Sequence, residues 1–305
     1  MPWTLAHTKS KGRFRQMSFF RLCSALLILT IGSQLLGCDY SNSMQTPMKQ
    51  GNKVEFNLRE SGDTFKSRYS ELVKALRQPV GVTFYNVQWP SGKKGAVKIN
   101  AGSTTLEVDN VLHLSAAQDE AFQNEGIATI NVISGISGPN GISHLGARDY
   151  LFSALAKLRK AGWAPTIPFG APRLRGREML MYKAESGKFT TLDADYVPTL
   201  DEWLQLEDLT IWELHGDRAF LKVSFKRQSK SGDPAGLDIY LITYELTSDV
   251  NYFRGFVDPL HRGEWKTLLQ AELDELAVKR KNIERQLSIR GVHIDTGYKD
   301  PVAPE

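Results

Sequence analysis

Residues 210–225 read TIWELHGDRAFLKVSF, two apolar runs separated by the polar sequence His215–Gly–Asp–Arg218. In the second run apolar residues alternate with polar ones, which is typical of a strand with one buried and one wet face. The short break with its glycine predicts a β-hairpin. The run LDIYLITYEL, residues 237–246, predicts a third antiparallel strand beside this hairpin.

A long helix is predicted after these strands. Asp258 is a favourable N-cap, Pro259 suits the first helical position, and Gly291 suits the position beyond the last turn. Apolar residues recur by threes and fours from Trp265 to Leu287, so one stripe of the helix should lie across the sheet. A helix from Pro259 to Arg290 would be about 48 Å long.

The preceding half of the chain predicts the same kinds of element. Residues 64–76 place apolar residues at helical spacing, residues 80–134 contain several β-type runs, and Ser143 is a candidate N-cap for a helix to about Lys160. We therefore predict an α+β fold, with two lobes of mostly antiparallel sheet, packed helices and a long C-terminal helix. Parallel winding is disfavoured because most strand connections are too short for crossover helices.

A proline-rich segment, residues 164–176, predicts the boundary between the two lobes. The lobes are then residues 53–163 and 177–291, followed by a tail at 292–305. In the second lobe REMLMYK and KFTTL are predicted strands. Thr199 and Glu202 match the capping box that begins a helix.

The first 37 residues have the layout of a secretory signal peptide. Five basic residues and no acid precede an apolar run at 22–36. That run is about 15 residues long, short of the roughly 20 that a membrane-spanning helix needs. Met17 begins a compact signal of its own, so Met1 and Met17 are alternative start sites.

The sequence Leu35–Leu–Gly–Cys38 follows the apolar run and resembles the lipobox of bacterial lipoproteins. The resemblance implies cleavage before Cys38 and lipid attachment at this residue; a buried cysteine in a core helix is the alternative. Asp39 resembles the signal that retains lipoproteins of enteric bacteria in the inner membrane. It favours the periplasmic face of that membrane, and the outer membrane stays open because the sorting rule differs between bacterial groups. The polar residues 38–52 predict a flexible tether.

Removal of the signal peptide changes the charge and the cysteine content. The whole chain has 38 Lys and Arg against 34 Asp and Glu, and loss of the five basic residues leaves a net charge of about −1. Nucleic-acid binding needs a concentrated basic excess, so we predict no nucleic-acid partner. Of the two cysteines, Cys23 is removed and Cys38 carries lipid. Disulfides, cysteine nucleophiles and cysteine-type zinc sites are therefore excluded from the predicted mature chain.

No recognisable catalytic motif occurs in the sequence. The glycine-rich loop at 134–146 is a candidate for phosphate or nucleophile chemistry, but it lacks a Gly-Lys-Ser/Thr ending and a Gly-x-Ser-x-Gly motif. A connecting loop is therefore the favoured interpretation. We predict no catalytic residue.

Metal binding is disfavoured as well. An acidic group could hold calcium or form a carboxylate pair, but a solvated loop and a helix start explain it better. The group comprises Asp193, Asp195, Asp201 and Glu202. The histidines that follow residue 38 are scattered, without the spacing of a helical zinc pair. They are His113, His144, His215, His261 and His293. We predict no metal and no cofactor.

Two groups of residues are candidates for protein binding. Arg173, Arg175 and Arg177 alternate with Leu174 and Gly176 and could present a basic edge, although a wet strand face explains the pattern equally well. A group of aromatic residues could form a partner-binding patch, although filling of the core is its favoured interpretation. This group comprises Tyr196, Trp203, Trp212, Tyr252, Phe253 and Phe256.

The chain between residues 144 and 302 resembles lipoprotein immunity proteins that accompany type VI secretion effectors, particularly lipases. The resemblance lies in HLGARDYLFSALAKLRKAGW, ADYVPTLDEW, FVDPLHRGEWKTLLQAEL and HIDTGYKDP. It implies a periplasmic, membrane-anchored protein that binds and occludes a toxin delivered by a sibling cell, and that is not an enzyme. An envelope structural or assembly lipoprotein is the alternative function, and a hydrolase with an unrecognised acid pair is the third.

Overall fold

Twelve strands pair into one sheet within the described residues, which are 52–90, 92–187, 190–228 and 235–305 of the computed structural model. Cys38, Asp39, the predicted signal peptide and all of the predicted tether before Asn52 lie outside these residues. The strands are β1 (Lys53–Asn57), β2 (Lys74–Gln78), β3 (Val82–Gln88), β4 (Gly95–Ala101), β5 (Thr104–Asp119), β6 (Ile127–Gly135), β7 (Ile142–Ser143), β8 (Ala164–Pro165), β9 (Thr191–Leu192), β10 (Ile211–His215), β11 (Ala219–Gln228) and β12 (Leu237–Ser248).

The sheet has the order β1-β4-β5-β6-β12-β11-β10-β8. Outside this path, β3 pairs with β2 and β5, β7 with β12, and β9 with β10. The pairs are antiparallel except β1–β4 and β9–β10. The predicted α+β class with mostly antiparallel sheet is confirmed.

Helices pack against this sheet. The α-helices of the described residues are α1 (Gly62–Arg68), α2 (His144–Lys160), α3 (Gly176–Ser186), α4 (Leu200–Gln205), α5 (Asp249–Arg254) and α6 (Trp265–Ile289). Short 3₁₀ helices occupy Glu120–Glu125 and Pro259–Glu264. The long C-terminal helix of the prediction is confirmed.

The hairpin predicted at residues 210–225 is present. Strands β10 and β11 pair antiparallel, with His215 opposite Phe220, and Gly216 N donates to Ala219 O at 2.8 Å across the turn. Strand β12 pairs with β11 along ten residues, as the third strand of the prediction requires.

The two predicted lobes share this sheet. Strand β6 of the first half pairs with β12 of the second, from Thr129 opposite Thr247 to Gly135 opposite Leu241. The turn between β4 and β5 also reaches the β10–β11 turn, where Ser103 N donates to Asp217 Oδ2 at 2.9 Å. The described residues from Asn52 onward belong to one compact unit, in which both halves contribute to a common apolar core.

The sheet buries one of its faces in that core. Phe225 of β11 and Tyr240 of β12 lie beside Trp203 of α4 and Trp212 of β10, and all four side chains are almost fully buried. Burial of each large apolar side chain contributes on the order of 1.5–3 kcal/mol. Trp203 and Trp212 of the predicted aromatic group thus fill the core here, whereas Tyr252, Phe253 and Phe256 belong to a second apolar cluster with Trp265 and Leu269 of α6.

Several predicted helix ends are confirmed. The Ser143 hydroxyl accepts a hydrogen bond from Gly146 N at 3.1 Å, which satisfies a free amide at the start of α2. Thr199 and Glu202 form the predicted capping box at the start of α4. Asp258 caps the 3₁₀ turn that precedes α6, so the α-helix begins later than predicted, at Trp265, and is about 38 Å long.

The helix predicted at residues 64–76 is too long. Helix α1 ends at Arg68, and residues 74–78 form β2, because the turn through Pro79 and Gly81 folds them back onto β3. Gly81 has a φ of +81°, and Pro79 restricts Gln78 to extended conformations.

The strand predicted at REMLMYK is also wrong. These residues lie in α3, whose end is set by Gly187 in the left-handed conformation. Arg, Glu, Met and Leu are good helix formers, and a short apolar run does not by itself separate a strand from a helix. In the KFTTL segment, Thr191–Leu192 is a strand and Lys188 and Phe189 lie outside the described residues.

Candidate functional site

The three arginines predicted to bind a partner form ion pairs with three different parts of the chain, namely α6, the C-terminal tail and α4. Arg173 holds Glu284 of α6 with two side-chain hydrogen bonds of 2.8 Å, and its backbone N also donates to Glu284. Burial alone would raise the pKa of Glu284, but the hydrogen bonds from Arg173 outweigh it and lower the pKa. Arg173 therefore fastens the proline-rich segment to the long helix.

Arg175 and Arg177 also make ion pairs within the chain. Arg175 Nε lies 2.8 Å from Asp295 Oδ2 in the C-terminal tail, and this contact lowers the pKa of Asp295. Arg177 Nε lies 2.9 Å from Glu202 Oε1, and together with other hydrogen bonds it lowers the pKa of Glu202 to about 2. Of the three, Arg177 is the most exposed. It is the one best placed for the predicted partner contact.

Arg177 also lies at the rim of a shallow groove between α3 and the end of α6. Met181, Tyr182 and Leu287 line the groove, and Arg290 lies at its rim, where it pairs with Glu185. The groove encloses about 500 Å³ including its open mouth. Its rim carries both signs of charge, so it does not select an ionic ligand.

The acidic group of the sequence analysis is dispersed in the structure. The Asp193 carboxylate accepts hydrogen bonds from Gly176 N and Asp195 N, and Asp195 pairs with Arg159 of α2. Within the described residues, His, Asp and Glu side chains form no group of three or more that could hold a metal ion.

The glycine-rich loop at 134–146 is tied to β12. Ser137 Oγ accepts a hydrogen bond from Tyr240 N at 2.7 Å, and His144 Nδ1 lies 2.6 Å from the Tyr240 hydroxyl. His144 Nε2 lies 3.9 Å from the buried Asp238 carboxylate. These contacts hold the loop and the start of α2 against the sheet, which is the role of a connecting loop.

The opposite face of the sheet carries a polar row that crosses five strands. The backbone register places Ser115 of β5, Asn131 of β6, Glu245 of β12, Lys222 of β11 and Glu213 of β10 directly opposite one another in turn. Residues paired in this way project to the same face of the sheet. We call these five residues the polar row.

The polar row is only partly covered. Asn131, Glu245 and Lys222 remain partly exposed, whereas Ser115 and Glu213 are buried. In the neighbouring rows His113, Ile133, Thr243, Ser224 and Lys226 also keep exposed surface. Helix α5 packs at one margin of this face, where Asn251 Nδ2 donates to Thr129 Oγ1 at 3.1 Å.

Several polar atoms of this face lack a partner. Ser115 Oγ, Asn131 Oδ1, Glu213 Oε1 and His215 Nδ1 are buried without a hydrogen-bond partner among the described residues. Lys222 and Glu245 form no ion pair within those residues, although they lie on adjacent strands. A buried polar atom without a partner costs about 1–3 kcal/mol. The four buried atoms are a cost to the fold, and the exposed charges of Lys222 and Glu245 are the groups that this face presents to solvent.

Burial determines the protonation of the groups on this face. Desolvation raises the pKa of Glu213, and the nearby Lys222 and a hydrogen bond with Tyr252 only partly oppose it. Burial lowers the pKa of His113 and of His215, which favours their neutral forms. Lys222, Lys226 and Glu245 are then the main charges of the exposed part.

Only one strand of this polar face could be recognised from the sequence. The alternation of Lys222, Ser224 and Lys226 predicted a wet strand face. Ser115, Asn131, Glu213 and Glu245 were missed as members of one surface, because their proximity depends on the pairing of β5, β6 and β12. The β6–β12 pairing joins residues more than a hundred positions apart along the chain.

No helix of the described residues is long and apolar enough to cross a membrane. No protein-family model matches this chain, and comparisons with curated proteins and with solved structures likewise find no match. The fold and this surface define the chain as an α+β domain with an open polar sheet face.

Proposed function

We propose that this protein is a lipid-anchored binding protein of the bacterial envelope, and that it neutralises a type VI secretion effector by stoichiometric occlusion. The observation that carries the proposal is the open polar face of the sheet, where Lys222 and Glu245 form no ion pair with any other residue that the structure describes. Charged groups free to pair across an interface provide specificity and fast association.

The exposed part of the face supplies part of a protein interface. The exposed residues of the polar row lie on three adjacent strands, β6, β12 and β11, which span about 14 Å at roughly 4.8 Å per strand. Over about 20 Å of strand length the flat area is about 290 Å², about a third of the ~800 Å² that each partner contributes to a standard interface. Elements at the margin, such as α5, would supply the remainder.

The sequence supports the cellular setting of the proposal. Cys38 resembles a lipidation site, and Asp39 favours retention on the periplasmic face of the inner membrane. A toxin that attacks lipid or peptidoglycan acts at this surface. Tethering through residues 38–52 would raise the local concentration of the inhibitor there. The resemblance of residues 144–302 to immunity proteins of lipase effectors supports the choice of a toxin as partner.

The test uses an effector encoded beside the gene of this protein. We expect soluble residues 39–305 to bind the purified effector one to one in calorimetry. The charge reversals Lys222→Glu and Glu245→Lys should each weaken binding at least tenfold, whereas Lys157→Glu, on the exposed side of α2, should not.

The outcomes separate the alternatives. Binding that is insensitive to both reversals would exclude the sheet face as the interface. A deletion strain that resists effector-armed siblings, yet has a leaky or misassembled envelope, would instead support the structural or assembly function.

A further inference from the structure

The last three turns of α6 present an outward face that the fold leaves unused. Val278 and Ile289 are among the most exposed apolar side chains of the described residues, at 61% and 81% of their full accessible surface. Lys281 and Arg285 lie between them on the same face, one turn apart, and both are exposed.

The acidic residue of this segment points inward. Glu284 is buried against Arg173, and the neighbouring Arg280 is buried in a two-bonded ion pair with Asp300, with distances of 2.5 and 2.9 Å. The internal contacts therefore use one acid and one base and leave Lys279, Lys281 and Arg285 exposed. These three residues form no ion pair within the described part of the chain.

We infer that this outward face, from Val278 to Ile289, docks on an anionic phospholipid surface. A basic helix face with a few exposed apolar side chains fits the boundary between headgroups and acyl chains, where cations meet phosphate and apolar side chains are covered. The segment from Val278 to Ile289 contains no aromatic side chain. Protein interfaces of high affinity are often centred on aromatic side chains, so a lipid surface is the better match.

The magnitude of the attraction is modest. Each Lys or Arg near an anionic membrane contributes roughly a fivefold gain in partition, so three give about a hundredfold preference over a neutral membrane. The free domain would then bind vesicles weakly. This part of the inference rests on the proposed lipidation of Cys38. A lipidated chain is already held at the membrane, and the attraction of the basic residues to the anionic lipid would there fix the orientation of the domain.

The inference is tested by vesicle sedimentation with soluble residues 39–305, which include the whole compact unit. We expect binding to vesicles of equal parts phosphatidylglycerol and phosphatidylcholine, at least tenfold stronger than to phosphatidylcholine alone at low salt. Salt at 0.5 M should abolish the difference, because it screens exposed charges. The double variant Lys281→Glu/Arg285→Glu should lose at least tenfold in partition, and Val278→Ser/Ile289→Ser should lose severalfold.

A matched control makes the same change of net charge on the sheet face, Lys222→Glu/Lys226→Glu, and should retain vesicle binding. Circular dichroism confirms that each variant is folded. Equal binding to both kinds of vesicle, equal loss in the sheet-face control, or no effect of the helix variants would overturn the inference. If the unmodified protein binds no vesicles and the helix variants lose effector binding, the helix face contacts an acidic protein surface instead. That result would overturn the inference as well.

Discussion

Arg254 of α5 and Glu125, at the end of the 3₁₀ helix before β6, form a buried ion pair with two hydrogen bonds of 2.6 and 2.9 Å. The guanidinium also lies over the Phe122 ring, 3.5 Å from its centroid, and contacts Asn251 Oδ1 at 3.0 Å. The pair joins an element of the first half to one of the second, beside the β6–β12 pairing.

The first prediction concerns this pair. Arg254→Ala should lower the free energy of unfolding by about 3–5 kcal/mol, because it leaves a largely buried carboxylate without its partner. Arg254→Lys should cost less, since it keeps the charge but loses the second hydrogen bond and the stacking on Phe122. The measurement is urea unfolding of residues 39–305.

The control for this prediction is the exposed pair of Arg290 and Glu185, whose side chains keep 57% and 48% of their accessible surface. Arg290→Ala should cost under about 1 kcal/mol, as exposed ion pairs generally do. Equal costs at the two arginines would show that burial does not strengthen the Arg254–Glu125 contact.

The second prediction concerns the pH dependence of stability and Glu213. The pKa of Glu213 is raised in the folded protein, so its stabilising contribution is complete below the unfolded-state pKa and is lost as the pH rises through the folded-state pKa. Glu213→Gln removes this loss. The variant should therefore gain stability relative to the wild type between pH 5 and pH 8, as measured by urea unfolding at both values.

The same substitution at the exposed Glu207 provides the comparison. Glu207→Gln should change stability equally at pH 5 and pH 8. A Glu213→Gln variant that keeps a constant offset from the wild type across this range would contradict a buried, proton-retaining carboxyl group.

The third prediction separates the arginines of the proline-rich segment. Arg173→Ala should destabilise the fold by roughly 2–4 kcal/mol, because it leaves Glu284 buried without its partner. Arg177→Ala should change the melting temperature by no more than about 2 °C, since its ion pair is exposed. If the segment from Arg173 to Arg177 contacts the effector, Arg177→Ala should weaken effector binding while the protein stays fully folded. Calorimetric melting and effector binding together check both parts.

The fourth prediction concerns Cys38, which lies outside the described residues. Cys38→Ala should abolish fatty-acid labelling and leave an uncleaved precursor, because the lipobox resemblance makes this residue the acceptor. Cys23→Ala should label normally, since Cys23 lies in the predicted signal peptide, which the lipobox resemblance implies is removed. Labelling of the Cys38→Ala protein at the wild-type level would contradict the lipoprotein interpretation.

Features that depend on residues close together in the sequence were predicted correctly, and features that depend on distant residues were not. Hairpin β10–β11, the Ser143 cap and the Thr199–Glu202 capping box depend on residues a few positions apart, and all were predicted correctly. The helix at 64–76 failed because its second half pairs with β3 instead of continuing α1. The ion pairs of Arg173 and Arg175 were not foreseen, because Glu284 and Asp295 are more than a hundred residues away in the sequence.

The candidate surface shows the same limit. One strand of it was visible as an alternating pattern in β11, but the row from Ser115 to Glu213 exists only through the register of five strands. Burial of Glu213 likewise depends on Tyr252 and the elements packed over β10. The sequence shows that these residues are polar, but it does not show that they lie together on one face of the sheet.

The pairing of β6 with β12 has a consequence for the timing of folding. Contacts between residues so distant in the chain require the closure of a large loop, and proteins dominated by such contacts fold slowly. The central part of the sheet cannot form until residues 237–248 are available, however early the first half collapses. For a chain exported through the predicted signal peptide this delay would be useful, because a protein without its completed sheet is still able to cross a membrane as an extended chain.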